Sequence, residues 1–389
     1  MIMNRNRKGI RFFSIISRYW GISRIKAAVF LLILPICMHA QEEGETPGST
    51  YDPVVITSNP DIMLTQHWAM PTLLNPAATG EIDFIRVRGA GRLQRLGEYH
   101  NPKNFLFTAD SPFKLMGKRV GAGIIANFES HDLYRNIQVS AQGSYKLNFK
   151  QNRLSIGIQI GYYHSQYKGS EYVINRIPDS DGDISHEPGE GEGDAGNAPD
   201  EPSKEDPDED YNEDMPTQDV AGGTLDLGVG IRFEHPKFYV GLSAQHLTNP
   251  KVKLSTEGES SSESRYVESK LPMTLYFDVG GNIPIPNSLF TLQPSLILGT
   301  DFNELAGVIE MRSTYNNLVT FGVDYRYNTA FGVLAGINIK NFFLGYSWEY
   351  NYSSLGKSTT GNHELVLGYQ FKMDMGGKNL FRHRSIRIM

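Results

Sequence analysis

The chain has 389 residues with a net charge of −6, of which 40% are hydrophobic and only one, Cys37, is a cysteine. A single cysteine excludes a disulfide scaffold, and no apolar run reaches the roughly 18 residues that a membrane-crossing helix needs. The charge is unevenly spread. Residues 1–40 carry Arg5, Arg7, Lys8, Arg11, Arg18, Arg24 and Lys26 and no acid, which leaves 30 bases against 43 acids beyond them.

The basic leader runs into the apolar stretch 27–37 and ends on Met38-His39-Ala40. A charged leader, a short apolar run and a small terminal residue predict a secretory signal peptide over residues 1–40. Its removal would take Cys37 with it. Ile36 stands where lipoprotein cleavage needs a small residue, so lipid attachment is not expected. Residues 41–81 then read as an N-terminal periplasmic segment ahead of the first strand.

From residue 82 to residue 373 the dominant pattern is period two. In the clearest run, Ile137, Val139, Ala141, Gly143, Tyr145, Leu147 and Phe149 alternate with Asn136, Gln138, Ser140, Gln142, Ser144, Lys146 and Asn148. Alternation places successive side chains on opposite faces of a strand. It recurs ten times downstream, and three less regular segments (83–93, 103–111 and 118–129) precede it. The sum is fourteen strands, with no helical stretch between them, in an antiparallel meander.

A soluble β-domain turns its apolar face inward, whereas an outer-membrane barrel turns it outward around a polar lumen. The even strand number and the gathering of aromatics at strand ends favour the barrel. Connection length favours it further. The long connections 168–222, 248–268 and 351–362 all fall at one end of the alternation, and the other end has only short turns such as 112–117, 150–153 and Lys340-Asn341. The expected fold is an all-β transmembrane up-and-down barrel of about fourteen strands, with the long loops outside the cell and the polar rows inward. Those rows hold Arg86, Arg88, Arg92, Lys146, Asp226, Arg232, Asp278, Glu310, Arg312, Glu349, Glu364 and Lys372. Their signs nearly balance, unlike the single-sign ladder of an ion-selective pore, and predict a hydrated lumen with cross-strand ion pairs.

Between Asp179 and Asp219 there are seventeen acids and one lysine, Lys204. So little apolar surface cannot offset the entropy of ordering, and the stretch reads as a disordered extracellular loop. Asp179, Asp181 and Asp183 resemble the opening of a calcium loop. Ile184 stands where the sharp turn needs glycine, however, so a solvated acidic loop is the better reading.

No enzyme pattern emerges. His164 and Ser165 are strand neighbours that point to opposite faces, and His363-Glu364 lacks a second histidine. No cofactor and no nucleic-acid partner is expected. After the last strand, residues 374–389 form a basic periplasmic tail in which Lys378, Arg382, Arg384 and Arg387 could contact an acidic partner.

The segment Asp61–Gly80, DIMLTQHWAMPTLLNPAATG, is amphipathic, with a turn at Asn75-Pro76. The stretch from Gln66 into Asn75, Pro76, Ala77 and Gly80, followed by Gln94 and Gly97, resembles the opening of the PorP/SprF family of type IX secretion system membrane proteins. Ala78 and Thr79 stand where that family has an aromatic residue. The resemblance implies an outer-membrane barrel of a Bacteroidota bacterium that serves protein secretion or the surface attachment of gliding adhesins. It also implies periplasmic ring subunits and a peptidoglycan-binding lipoprotein as partners. On this reading the barrel sits in outer-membrane lipid and docks those partners through 61–80 and the tail. The alternative is a diffusion channel for small solutes.

Overall fold

The computed structural model describes residues 54–57, 64–97, 101–170, 218–254, 267–353 and 359–373. Its main sheet runs through β1 (Phe84–Leu93), β2 (Lys103–Leu115), β3 (Lys118–His131), β4 (Tyr134–Phe149), β5 (Asn152–Lys168), β6 (Asp219–His235) and β7 (Phe238–Gln245). It continues through β8 (Thr274–Gly281), β9 (Phe290–Thr300), β10 (Leu305–Tyr315), β11 (Val319–Arg326), β12 (Ala330–Ile339), β13 (Phe342–Asn351) and β14 (Asn362–Lys372). Each strand pairs antiparallel with the next, and β14 pairs with β1 from His363↔Leu93 to Lys372↔Phe84. The result is a closed fourteen-stranded barrel, as the alternation requires. Closure leaves no strand edge exposed to lipid, which an open sheet could not achieve.

The second expected strand ends earlier in the sequence reading than in the structure. It extends to Leu115, because Met116 and Gly117 both take left-handed φ and make a two-residue hairpin turn. Pro112 therefore lies within β2, opposite Gly121 of β3.

The faces follow the period. On β12, Phe331 is 56% exposed and Val333 50%, and on β13 Phe342, Leu344, Tyr346, Trp348 and Tyr350 all face out. Between them Phe343, Ser347 and Glu349 are buried. The barrel is thus apolar outside and charged inside, the inverse of a soluble domain. Aromatic pairs mark both rims of the apolar belt. Phe290 and Tyr315 (4.9 Å) and Phe342 and Tyr369 (4.5 Å) lie at the short-turn end, and Tyr325 and Phe331 (4.9 Å) at the other. Rings with an apolar body and a polar tip suit the boundary between lipid and water. Among the described residues no helix is long and apolar enough to cross a membrane.

The connections fall as the sequence reading placed them. Short turns occupy one end, while the 169–218 and 246–273 connections occupy the other. Within the latter, Lys251–Leu254 pairs antiparallel with Val267–Lys270, and Val54–Thr57 adds to it in parallel as a third strand. Val252 and Leu254 of this small sheet pack with Leu133, Tyr163, Tyr167, Val220 and Leu271. The signal peptide 1–40, the acidic residues Asp179, Asp181 and Asp183, and the tail residues Lys378, Arg382, Arg384 and Arg387 lie outside the described residues.

Candidate functional site

The interior is occupied by the chain's own N-terminal segment. Leu64, Thr65, Gln66, Trp68, Met70, Asn75, Ala77, Ala78 and Thr79 are all buried, although they precede the first barrel strand. Their partners are lumen-facing groups. The expected periplasmic placement of 41–81 is therefore corrected for residues 64–81, which lie within the barrel. The physical reason is that the polar rows are satisfied by this segment as well as by one another.

The segment enters beside β13, β14 and β1. The Thr65 hydroxyl donates to Glu349 at 2.6 Å and accepts from the Arg92 guanidinium at 2.9 Å. The Thr65 and Gln66 backbone N–H groups donate to the two oxygens of the Glu364 carboxylate, at 2.7 and 2.8 Å. Arg92 in turn reaches Glu349 at 2.7 Å and Glu364 at 3.2 Å, and Arg326 reaches Glu349 at 3.0 Å. Charge-assisted bonds of this kind are about twice as strong as neutral ones. Each charge here has partners, which is the condition for burying it.

Trp68 then packs edge-on against Phe343 at 5.2 Å, under the Arg312 guanidinium at 4.3 Å from its ring. The His67 imidazole faces Ser295 at 3.4 Å and Glu310 at 3.9 Å. The chain crosses to β6 and β7, where Ser243 donates to the Leu74 carbonyl at 2.5 Å and the Asn75 carboxamide donates to the Ile231 carbonyl at 3.2 Å. Asn75 also accepts from the Ala77 N–H at 2.9 Å and so caps the 3₁₀ turn Pro76–Ala78.

From there the segment descends past β4 and β2. Gln142 accepts from the Thr79 hydroxyl at 2.8 Å, Ser144 donates to the Thr79 carbonyl at 2.7 Å, and the Gly80 N–H donates to Asp110 at 2.6 Å. Asp110 is held by Arg86 at 2.7 Å. At the short-turn rim Arg153 donates to the Glu81 carbonyl at 2.5 Å and Asp83 pairs with Arg119. Phe84 then starts β1.

The wall is cut to fit this path. A Cβ added to Gly121 would run into the Thr79 carbonyl and the Ser144 hydroxyl, one on Gly157 into the Pro76 and Ala77 backbone, and one on Gly230 into the Asn75 side chain. At Gly121 and Gly157 the segment's backbone, and at Gly230 the Asn75 side chain, come so close to the wall that a side chain there would clash.

The structure therefore brings Gln66, Asn75, Pro76, Ala77 and Gly80 together inside the lumen. It does not bring Gln94 or Gly97 there. Gln94 closes the β1–β2 connection through its N–H to the Pro102 carbonyl at 2.9 Å, and Gly97 turns with φ +108° at open surface. Of the expected lumen rows, Lys372 alone is exposed, at the barrel's lower rim. Sequence reasoning identified these rows but missed what they bind. Thr65 and Thr79 carry no pattern that marks them, and Gln142 and Ser144 show only the alternation that turns them inward. Ser165 faces inward and donates to Asn136 at 2.8 Å, while His164 faces out, so the two make no dyad. Among the described residues no cluster of three or more His, Cys, Asp or Glu could hold a metal ion.

The two ends differ in charge. At the short-turn end Lys114, Lys118, Lys150, Lys237, Lys340 and Lys372 are exposed, whereas the carboxylates there, Glu81, Asp83 and Glu234, are buried. That end presents a basic rim.

No curated protein sequence matches the chain. Among solved structures it is similar to the toluene transporter TbuX of Ralstonia pickettii, with 11% identity and a TM-score of 0.41, over 86% of this chain and 100% of that one. It is also similar to the Pseudomonas putida toluene transporter TodX, with 7% identity and a TM-score of 0.41, over 83% and 99%. The translocator domain of the Neisseria meningitidis autotransporter NalP gives 13% identity and a TM-score of 0.35, over 79% and 96%. These likenesses are too loose to say anything of function. The family described as type IX secretion system membrane protein PorP/SprF matches residues 57–369, a span that takes in both the lumen segment from Leu64 and the barrel wall built around it. The chain belongs to the PorP/SprF family of type IX secretion system membrane proteins.

Proposed function

We propose that the protein is a non-enzymatic outer-membrane subunit that docks periplasmic components of type IX secretion to the outer membrane. A cleaved signal peptide would export it, in a Bacteroidota cell that secretes proteins or gliding adhesins by this route. The observation that carries the docking reading is the basic rim. Six exposed lysines at the short-turn end, with the nearby carboxylates buried, form a surface suited to acidic partners. Lys378, Arg382, Arg384 and Arg387 extend the same charge in sequence. The partners proposed are the periplasmic ring subunits and a peptidoglycan-binding lipoprotein. Residues 64–81 drop out of this role, because a buried segment offers no surface to a partner.

The test is a mild-detergent capture of tagged protein from native envelopes, beside a version lacking 378–389 and one carrying Lys150→Glu and Lys340→Glu. Recovery of ring subunits with the intact chain, reduced in both variants, supports the reading. Retention by both variants leaves docking standing but removes the basic rim and tail as its site. Recovery of no periplasmic partner by the intact chain overturns docking. A diffusion channel is the second reading, and the filled lumen weighs against it.

A further inference from the structure

The path of the N-terminal chain has a direction. Val54–Thr57 is hydrogen-bonded in parallel to Val267–Lys270, within the 246–273 connection at the long-loop end. Leu64–Gln66 lies inside the wall near that same end, on Glu349, Glu364 and Arg92, which are close to the β13–β14 and β1–β2 connections. Asp83 lies at the opposite rim and leads directly into β1.

The wall between is a continuous hydrogen-bonded ladder through all fourteen strands, including the β14–β1 and β8–β9 pairs. A chain inside such a wall can leave only through its two mouths. Between Thr57 and Leu64 it must therefore pass the long-loop mouth. The barrel is threaded by its own N-terminal segment from one mouth to the other.

We infer that the N-terminal chain enters the barrel from the cell surface, with Val54–Thr57 held at the long-loop mouth. This rests on the reading above that the long loops face outward. A tag inserted ahead of Val54 is then expected to be reached from the extracellular side. The last strand, β14, ends at Lys372 at the other mouth, so Val54 and Lys372 lie at opposite ends of the barrel.

An epitope-accessibility experiment on intact cells decides this. Three full-length versions carry one tag each: after Gly48, after Gly193 in the acidic connection, and after Met389. Antibody binding is measured before and after permeabilising the outer membrane, with total tag confirmed by immunoblot. The expected result is binding to the first two in intact cells and to the third only after permeabilisation. If the Gly193 tag is accessible and the Gly48 tag is hidden until permeabilisation, the threading is overturned while the orientation stands. If only the Met389 tag is accessible, the barrel is inverted and the surface placement fails with it. A proteolytic control separates masking from topology. Protease added outside intact cells should remove the Gly48 tag and leave the Met389 tag on a barrel-sized fragment.

Discussion

Arg92 on β1 and Glu349 on β13 lie 257 residues apart in the chain and meet at 2.7 Å, with the Thr65 hydroxyl bonded to both. The pair belongs to the wall, but it is the lumen segment that completes it. Each element therefore stabilises the other. Without Thr65 the two charges keep each other but lose a polar neighbour. Without the pair, the start of the segment keeps only its two N–H bonds to Glu364.

Removing one charge from this cluster should be costly. Glu349→Gln removes the ion pairs that Glu349 makes with Arg326 and Arg92, leaving Arg92 with Glu364 and Thr65. Breaking a buried pair from one side costs about 3–5 kcal/mol. Urea unfolding of the refolded barrel in micelles, followed by its gel mobility, measures the loss. A single variant as stable as the parent would show that the cluster contributes little.

The segment should also control conductance. In planar bilayers the intact protein should conduct poorly, and deletion of 64–80 should open a pore with several-fold higher conductance. The deletion removes one or more of the partners of Glu364, Gln142 and Asp110, so the variant must first be shown to remain a folded barrel. Equal conductance of the two folded proteins would mean that solute passes beside the segment, and the diffusion-channel reading would regain ground.

The glycines along the path give a finer test. Gly157→Ala places a methyl group against the Pro76 and Ala77 backbone, where neither side can give way. Overpacking of this kind costs about 1–3 kcal/mol. Gly89→Ala meets nothing closer than the Leu106 carbonyl at 4.0 Å and should be tolerated. Limited proteolysis of the folded barrel should cut the lumen segment faster in the first variant and not in the second. Equal cutting rates would count against the tight fit.

The outer face should reject charge that the inner face accepts. Leu367 of β14 is 53% exposed on the apolar side, midway along its strand. Leu367→Arg should weaken folding into vesicles by about 2–4 kcal/mol, as lipid-facing arginine does near the bilayer centre. A variant that folds as well in vesicles as in micelles would place Leu367 outside the hydrocarbon.

The barrel was legible because strand alternation is local. Phe331, Val333, Ala335, Ile337 and Ile339 declare a face by their spacing alone, and the sides of the long connections follow from counting strands. Even Arg92, Glu349 and Glu364 could be placed inward by parity. What parity cannot supply is who meets whom across a closed wall, because that depends on tilt and closure and not on any neighbour in sequence.

Residues 64–83 show the cost of that gap. As a sequence they are a short amphipathic stretch with an Asn-Pro turn, equally suited to a periplasmic contact. Only the folded barrel sets Gly121, Gly157 and Gly230 where Thr79, Ala77 and Asn75 pass, and presents Glu364 to two backbone N–H groups. The sequence by itself determined a fourteen-stranded wall with an apolar exterior, since burial period is a property of each strand. The tertiary structure decided that the wall encloses its own N-terminal chain, since buried polar groups must find partners and here those partners come from every side of the barrel.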